Sequence, residues 1–218
     1  MPVYRLTKKF NGFPDPSEAV EDGLLAVGGD LTPEYLVNAY ASGIFPWYNE
    51  HDPILWWSPD PRFVLLPEKF KVSKSLRTLV HSGKYEIVVD KNFETVIRKC
   101  ATVKRPDEAG TWINENMIKA YCKLFDLGFA HSFETYCEGK LVGGLYCVAL
   151  RHAIFGESMF HTKRDASKFA LYYLVEFAKR NNIHFIDSQL KTDHLVRLGA
   201  EEIPRSDYLD LLEKALEK

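Results

Sequence analysis

The feature that most constrains this chain is a strand–helix–strand pattern in its last third. Residues 153–160, including Phe155-Gly156-Glu157-Ser158-Met159-Phe160, have the length and apolar content of a strand. Residues 166–179 read as a strongly apolar helix, and 184–190 as a second strand. Strands joined through a helix are parallel neighbours, reached by a right-handed crossover. Such strands are normally apolar on both faces, yet Glu157, Asp187 and Gln189 sit in the middle of these two. Burying them unpaired is costly, and positions that break a local rule tend to be functional. Strand alternation groups Phe185, Asp187 and Gln189 on one face, and Phe155, Glu157 and Met159 on one face of the other strand. The plainer alternative is that both carboxylates pair with Arg or Lys from a loop and hold a cleft shut.

Upstream, residues 62–150 read as regular structure. Strands are expected at 63–66, 84–90, 131–138 and 141–150, the last two joined by Glu138-Gly139-Lys140. Helices are expected at 73–82, 92–101 and 114–127, the last capped by Asn114 and stopped by Gly128. A helix follows near 193–198. Before about residue 60 the chain changes character. Thr32 and Pro33 suit a helix start and Gly43 its end, but 43–61 mixes Trp47, Trp56 and Trp57 with Pro46, Pro53, Pro59 and Pro61. Long helices and strands do not tolerate that mixture. Residues 1–61 are therefore expected to form a small irregular lobe, and 62–218 the main domain.

Composition narrows the function classes. The formal net charge of −2 excludes a uniformly basic nucleic-acid binder, so any RNA contact needs a local patch. One stretch fits: Lys69, Lys71, Lys74, Arg77 and Lys84 with no acid between them. A helix over 73–82 places Lys74 and Arg77 on one face, suited to phosphates or simply to solvent. The four cysteines form no CxxC pair, and His131, His152, His161, His184 and His194 show no metal-ligand spacing. No metal is expected, and the thiols fit a reducing cytoplasm. No run approaches the ~20 apolar residues of a membrane span.

Several further motifs carry a resemblance. Gly23-Leu24-Leu25-Ala26-Val27-Gly28-Gly29-Asp30-Leu31, Gly43-Ile44-Phe45-Pro46-Trp47, Leu55-Trp56-Trp57-Ser58-Pro59-Asp60-Pro61-Arg62 and Gly110-Thr111-Trp112-Ile113 precede the Glu157 and Asp187 segments. Leu198-Gly199-Ala200-Glu201-Glu202-Ile203-Pro204-Arg205 follows them. In this order the set resembles the leucyl/phenylalanyl-tRNA–protein transferases over nearly the whole chain. The resemblance implies an α+β fold: the small lobe plus a mixed-sheet, acyl-CoA N-acyltransferase-like (GNAT-type) C-terminal domain. It implies transfer of Leu or Phe, less readily Met, from aminoacyl-tRNA to proteins beginning with Arg or Lys, marking them for N-end-rule degradation.

Carried over by matching motif, Asp187 and Gln189 act at the reacting centre and Glu157 faces the cationic end of the acceptor. Trp47 and Trp112 sandwich the terminal adenine. Leu145, Ile154, Phe155, Met159 and Ile186 line the pocket for Leu or Phe. The tRNA contacts expected of Lys74, Arg77 and Lys84 rest instead on the basic stretch itself, which is less densely basic than the family pattern. Aminolysis of an ester is downhill and requires no cofactor, only positioning, a neutral amine and oxyanion stabilisation.

Two rivals use the same sequence. A CoA-dependent N-acetyltransferase wants a Gly-rich turn before the central helix, but His161-Thr162-Lys163-Arg164-Asp165-Ala166-Ser167-Lys168 has no glycine. A non-catalytic RNA-binding module leaves Glu157, Asp187 and Gln189 unexplained.

Overall fold

The computed structural model describes residues 3–103 and 112–217. Gly110 and Thr111 of the Trp112 motif therefore lie outside the described residues. Along the chain come β1 (Tyr4–Leu6), β2 (Leu24–Gly28), α1 (Pro33–Ala41), β3 (Phe45–Pro46), β4 (Leu55–Trp57) and β5 (Arg62–Leu65). Next are α2 (Lys74–His81), β6 (Glu86–Val89), α3 (Phe93–Ala101), α4 (Glu115–Asp126), β7 (Ala130–Cys137) and β8 (Lys140–Leu150). The chain ends with β9 (Ala153–His161), α5 (Ala166–Arg180), β10 (Phe185–Asp187), α6 (Asp193–Arg197), β11 (Glu201–Ile203) and α7 (Arg205–Leu216).

Local signals explain most helix ends. Thr32 accepts the Tyr35 N–H (3.3 Å) at the start of α1, with Pro33 in its first turn. Ser73 and Asn114 cap α2 and α4 in the same way, through the N–H groups of Leu76 (3.2 Å) and Met117 (3.0 Å). Gly43 takes the positive φ of 74° that turns the chain out of α1.

Strands β1–β4 form one sheet in the order β1-β2-β4-β3, and the other seven form a second, β11-β5-β10-β9-β8-β7-β6. The β9–β10 pair is parallel, with Phe185 opposite Ala153 and Asp187 opposite Phe155. Every other pairing described in the large sheet is antiparallel. Helix α5 packs its Leu171, Leu174 and Val175 on one face of this sheet with Ile154 and Ile186. Gly143 lets the start of α5 approach β8, since a Cβ there would come within 2.6 Å of the Ala166 Cβ.

The opposite face carries a core that runs without a break into the N-terminal lobe, joining Tyr146, Phe155 and Phe185 to Tyr40, Trp56 and Leu25. The expected irregular lobe is thus a four-stranded sheet with a helix. Its strands are short enough, two to five residues, to fit between the prolines. The sheets change between Trp57 and Arg62, but the apolar core does not.

The strand expected over 184–190 is only three residues long. Gln189 takes a left-handed φ of 56°, which no strand continues through. Strand β11 and helix α7 were not among the expected elements. β11 is too short for alternation to show, and α7 begins after Pro204 without a side-chain cap.

Candidate active site

The site is made by two neighbouring strands that stop pairing. After Asp187 the chain stays on β5: the Ser188 N–H donates to the Phe63 carbonyl (2.9 Å), and the Phe63 N–H to the Gln189 carbonyl (3.4 Å). Strand β9 instead continues along β8 to His161. The wedge between them opens a cavity of about 400 Å³.

A bulge aims the first carboxylate. Cys147 pairs with Gly156 and Tyr146 with Ser158, which leaves Glu157 as the extra residue on β9. The bulge also reverses the side-chain parity. Phe155 and Phe160 belong to the core shared with the lobe, Ile154 and Met159 to the α5 core. Phe155, Glu157 and Met159 therefore do not share one face, as plain alternation required.

Glu157, half-buried at the cavity wall, accepts hydrogen bonds from the hydroxyls of Tyr40 (2.6 Å, Oε1) and Tyr121 (3.1 Å, Oε2). The two hydroxyls also bond each other. Burial pushes the Glu157 carboxyl from its ordinary 4.5 up to about 7. The two phenol donors oppose that rise, and the nearby Asp187 charge adds to it. Among the described residues no cation pairs with Glu157.

Asp187 is treated differently. It is 0% exposed and receives both arms of Arg62, itself 1% exposed, through Nε–Oδ1 (2.9 Å) and Nη2–Oδ2 (2.6 Å). Tyr208 donates its hydroxyl to Oδ2 (2.9 Å), and the Gln189 N–H donates to Oδ1 (2.9 Å). Arg62 also donates to the Gly43 carbonyl (3.2 Å) and lies between the rings of Phe45 and Tyr208, 4.7 and 4.6 Å from their centroids. Burial disfavours the guanidinium charge, but Asp187 outweighs it and the Arg62 pKa is raised.

Of the residues singled out in the sequence, Glu157, Gln189, Trp47, Trp112, Leu145, Met159 and Ile186 line the cavity. The Trp47 carbonyl accepts the Trp57 indole N–H (2.7 Å), which fixes that wall. Two expectations about the cavity need correction. Asp187 does not line the cavity and faces Arg62 instead, while Gln189 reaches it because its left-handed backbone breaks the alternation. Ile154 and Phe155 are closed into the two cores, 1% and 0% exposed, because the bulge opens the wedge only beyond them. Outside the cavity, Lys74, Arg77 and Lys84 are exposed on and just after α2, where a large partner can reach them, and Lys69 of the same stretch pairs with Glu201 (2.5 Å). The plainer alternative of loop cations holds for Asp187, through Arg62 at the start of β5; among the described residues it has no counterpart at Glu157.

Sequence reading missed Arg62, Tyr208, Tyr40 and Tyr121 as partners, and Leu171, Leu174, Leu195, Ser188 and His194 as lining. Tyr121 was visible as an inward position of α4, but nothing local tells a core tyrosine from one aimed at a carboxylate 36 residues away. Among the described residues no group of His, Cys, Asp and Glu is arranged to hold a metal ion. None of the helices among them is long and apolar enough to cross a membrane.

Comparison with known proteins sets this geometry in context. A family model described as leucyl/phenylalanyl-tRNA protein transferase matches residues 64–213, and one for the N-terminal domain of the same family matches 29–60. A leucyl/phenylalanyl-tRNA–protein transferase from Anaeromyxobacter sp. (strain Fw109-5) is 54% identical over 218 residues, covering 100% of this chain and 92% of the relative. One from Desulfatibacillum aliphaticivorans is 52% identical over 217 residues, covering 100% and 93%. Among solved structures, a GCN5-related N-acetyltransferase from Kribbella flavida is similar at a TM-score of 0.41 with 10% identity, over 78% of this chain and 60% of that one. With family matches across both sheets and more than half of all positions identical over its full length, the chain belongs to the leucyl/phenylalanyl-tRNA–protein transferase family.

Proposed function

We propose that this enzyme, an aminoacyltransferase, moves Leu or Phe, and less readily Met, from aminoacyl-tRNA to the α-amino group of proteins beginning with Arg or Lys. The new N-terminal residue then marks those proteins for N-end-rule degradation in the cytoplasm. The observation that carries this reading is the make-up of one cavity. It joins an apolar floor (Leu145, Met159, Leu174, Ile186), two indoles (Trp47, Trp112) and a carboxylate that no cation among the described residues pairs with. Leu, Phe and Met are close in apolar volume, and a pocket discriminates a missing methylene by only ~1–3 kcal/mol. The adaptable Met159 suits that tolerance. The indoles suit stacking of the terminal adenine, and Glu157 suits the cationic side chain of the acceptor, whose arrival favours the ionised carboxylate.

In the reaction the acceptor amine attacks the ester carbonyl, the new C–N bond forms, and the ribose oxygen leaves with a proton as the free hydroxyl. An α-amino group of pKa ~8 is about one-tenth neutral at pH 7, so no strong base is needed. The Gln189 side chain can orient the ester carbonyl or the amine. Asp187 has no open face toward the substrates and serves as a positioning residue: its Oδ1 holds the Gln189 N–H and with it the turn that carries Gln189 into the cavity.

Incubation with labelled leucyl-tRNA and a protein beginning with Arg tests the reading. Label should appear at the protein's N-terminus. Intact leucyl-tRNA with no transfer overturns it, and acetyl transfer from acetyl-CoA would favour the acetyltransferase rival instead.

A further inference from the structure

Helix ends in this fold follow the macrodipole, which favours acids in the first turn. In α1, α3, α4, α6 and α7 the first turn holds Glu34, Glu94, Glu115, Asp193 and Asp207 respectively. Helices α2 and α5 have no acid there and carry Lys74 and Lys168 instead. These two helices pack on each other, and Leu79 and Val80 of α2 share one apolar cluster with Phe169 and Tyr173 of α5. A cation at a positive helix end costs stability unless an anion shares the site, as Asp165 partly does for Lys168 at 2.7 Å.

The turn before α5 extends the same charge. From His161 to Lys168 it carries Lys163, Arg164 and Lys168 against one acid, Asp165. Asp165 makes no capping bond to α5. Its carboxylate meets Lys168 (2.7 Å) and Arg164 (3.4 Å), and the Arg164 side chain remains 92% exposed. The turn touches the end of the α2 patch, and Lys168 lies near His194, a residue of the cavity lining. On one side the Tyr85 hydroxyl donates to the Arg164 carbonyl (3.0 Å), and Lys84 Nζ lies 5.3 Å from the Tyr85 ring. On the other, Ser167 Oγ is 3.4 Å from His161 Nδ1, and His194 lines the cavity close enough to Lys168, Arg197 and His161 for their charges to lower its pKa alongside burial.

We propose that this β9–α5 turn is a phosphate track. Lys163, Arg164 and Lys168, with Lys84 beside them, guide the backbone of the tRNA 3′ strand from the α2 surface, about 12 Å long, to the cavity mouth. The proposal rests on the aminoacyl-tRNA reading above and adds the surface along which that RNA lies. RNA backbone fits better than a solvated face because cations outnumber acids here: Lys69 to Lys84 holds no acid and His161 to Lys168 only one, with Glu201 pairing Lys69 from outside the stretch.

The test is binding of uncharged tRNA at several salt concentrations. It compares the unmodified enzyme, the double variant Arg164→Glu/Lys168→Glu, the single variant Arg164→Glu at a highly exposed site, and Lys214→Glu on α7 as a control. Two lost phosphate contacts should weaken binding at least ~10-fold near 0.1 M salt and flatten the log–log salt slope by about 1.4, at ~0.7 per single-strand phosphate. Arg164→Glu alone should give about half that change in slope, and Lys214→Glu none. Unchanged affinity and slope in Arg164→Glu and the double variant, or an equal loss in Lys214→Glu, overturns the track. If the double variant fails to fold, Arg164→Glu decides. If the unmodified enzyme transfers leucine while the variants bind tRNA normally, the track alone falls. If it neither binds tRNA nor transfers, the functional reading falls and the track with it.

Discussion

Glu157 and Asp187 lie on adjacent strands, directed to the same side of the sheet, and the fold surrounds them differently. Asp187 meets a guanidinium that uses two nitrogens on its two oxygens, and a phenol and a backbone N–H complete its shell. Among the described residues Glu157 meets two phenols and no cation. The first arrangement fixes a charge inside the framework. The second leaves a carboxyl that titrates near neutral pH at the wall of a cavity. Two carboxylates in apolar strands looked alike in the sequence, and their partners separate one held inside the framework from one left at the cavity wall.

The largest effect on stability is expected from Asp187→Asn. It leaves Arg62 buried without a counter-charge, and breaking a buried pair from one side costs about 3–5 kcal/mol. Replacing both partners, as Arg62→Met/Asp187→Leu, should cost less than the single change because no charge is then stranded. Urea unfolding of the three proteins checks this. An Asp187→Asn protein as stable as the parent would break the contrast between the two carboxylates.

Next in size is the pH dependence contributed by Glu157. Its folded pKa, about 7, lies above the ordinary 4.5. Below pH 4.5 both states hold the proton. Between 4.5 and 7 the unfolded chain ionises while the folded one does not. Stability therefore falls as pH rises through that window, by about 3 kcal/mol at most, and levels off above it. Glu157→Gln should remove this slope, read as the difference between the two proteins unfolded at pH 5 and pH 8. Parallel curves would mean that Glu157 is ionised throughout.

The contrast also marks how much could be read beforehand. The parallel β9–β10 pair, α5, and the helices capped by Thr32, Ser73 and Asn114 follow from periodicity and cap chemistry, which are local. Glu157 and Gln189 stood out because polar residues do not suit the middle of such strands, whereas Met159 and both indoles came only from the motifs that carry the family resemblance. The bulge at Glu157 and the left-handed turn at Gln189 were not legible, since each is fixed by a neighbouring strand rather than by its own residues. Those two irregularities reassigned Phe155 and Asp187 from the cavity to the interior. Arg62 shows the same limit: it is 125 residues from Asp187, and only the antiparallel β5–β10 pairing brings them together.

Tyr40→Phe probes the weaker partnership. Losing one donor to the ionised carboxyl should raise the Glu157 pKa further, so any inflection near pH 7 in the transfer rate should move upward. The stability cost should be about 0.5–1.5 kcal/mol, far below that of Asp187→Asn. An unmoved inflection would show that Tyr121 alone sets the environment of the carboxyl.

Gln189→Gly should have the smallest effect on stability and separates backbone from side chain. A non-glycine residue at φ 56° pays about 1–2 kcal/mol for its left-handed conformation, and glycine relieves that strain while adding freedom to the unfolded chain. The two effects nearly cancel, so stability should stay within about 1 kcal/mol. The backbone N–H that Asp187 holds is retained, and only the amide side chain at the cavity is removed. If that side chain orients the reacting ester, transfer should fall by about 10²-fold, the scale of losing one polarising donor. Asp187→Asn would then lose both stability and turnover, and Gln189→Gly turnover alone. Should Gln189→Gly retain full turnover, the Asp187 network would act on catalysis through the fold of the turn rather than through the amide it carries.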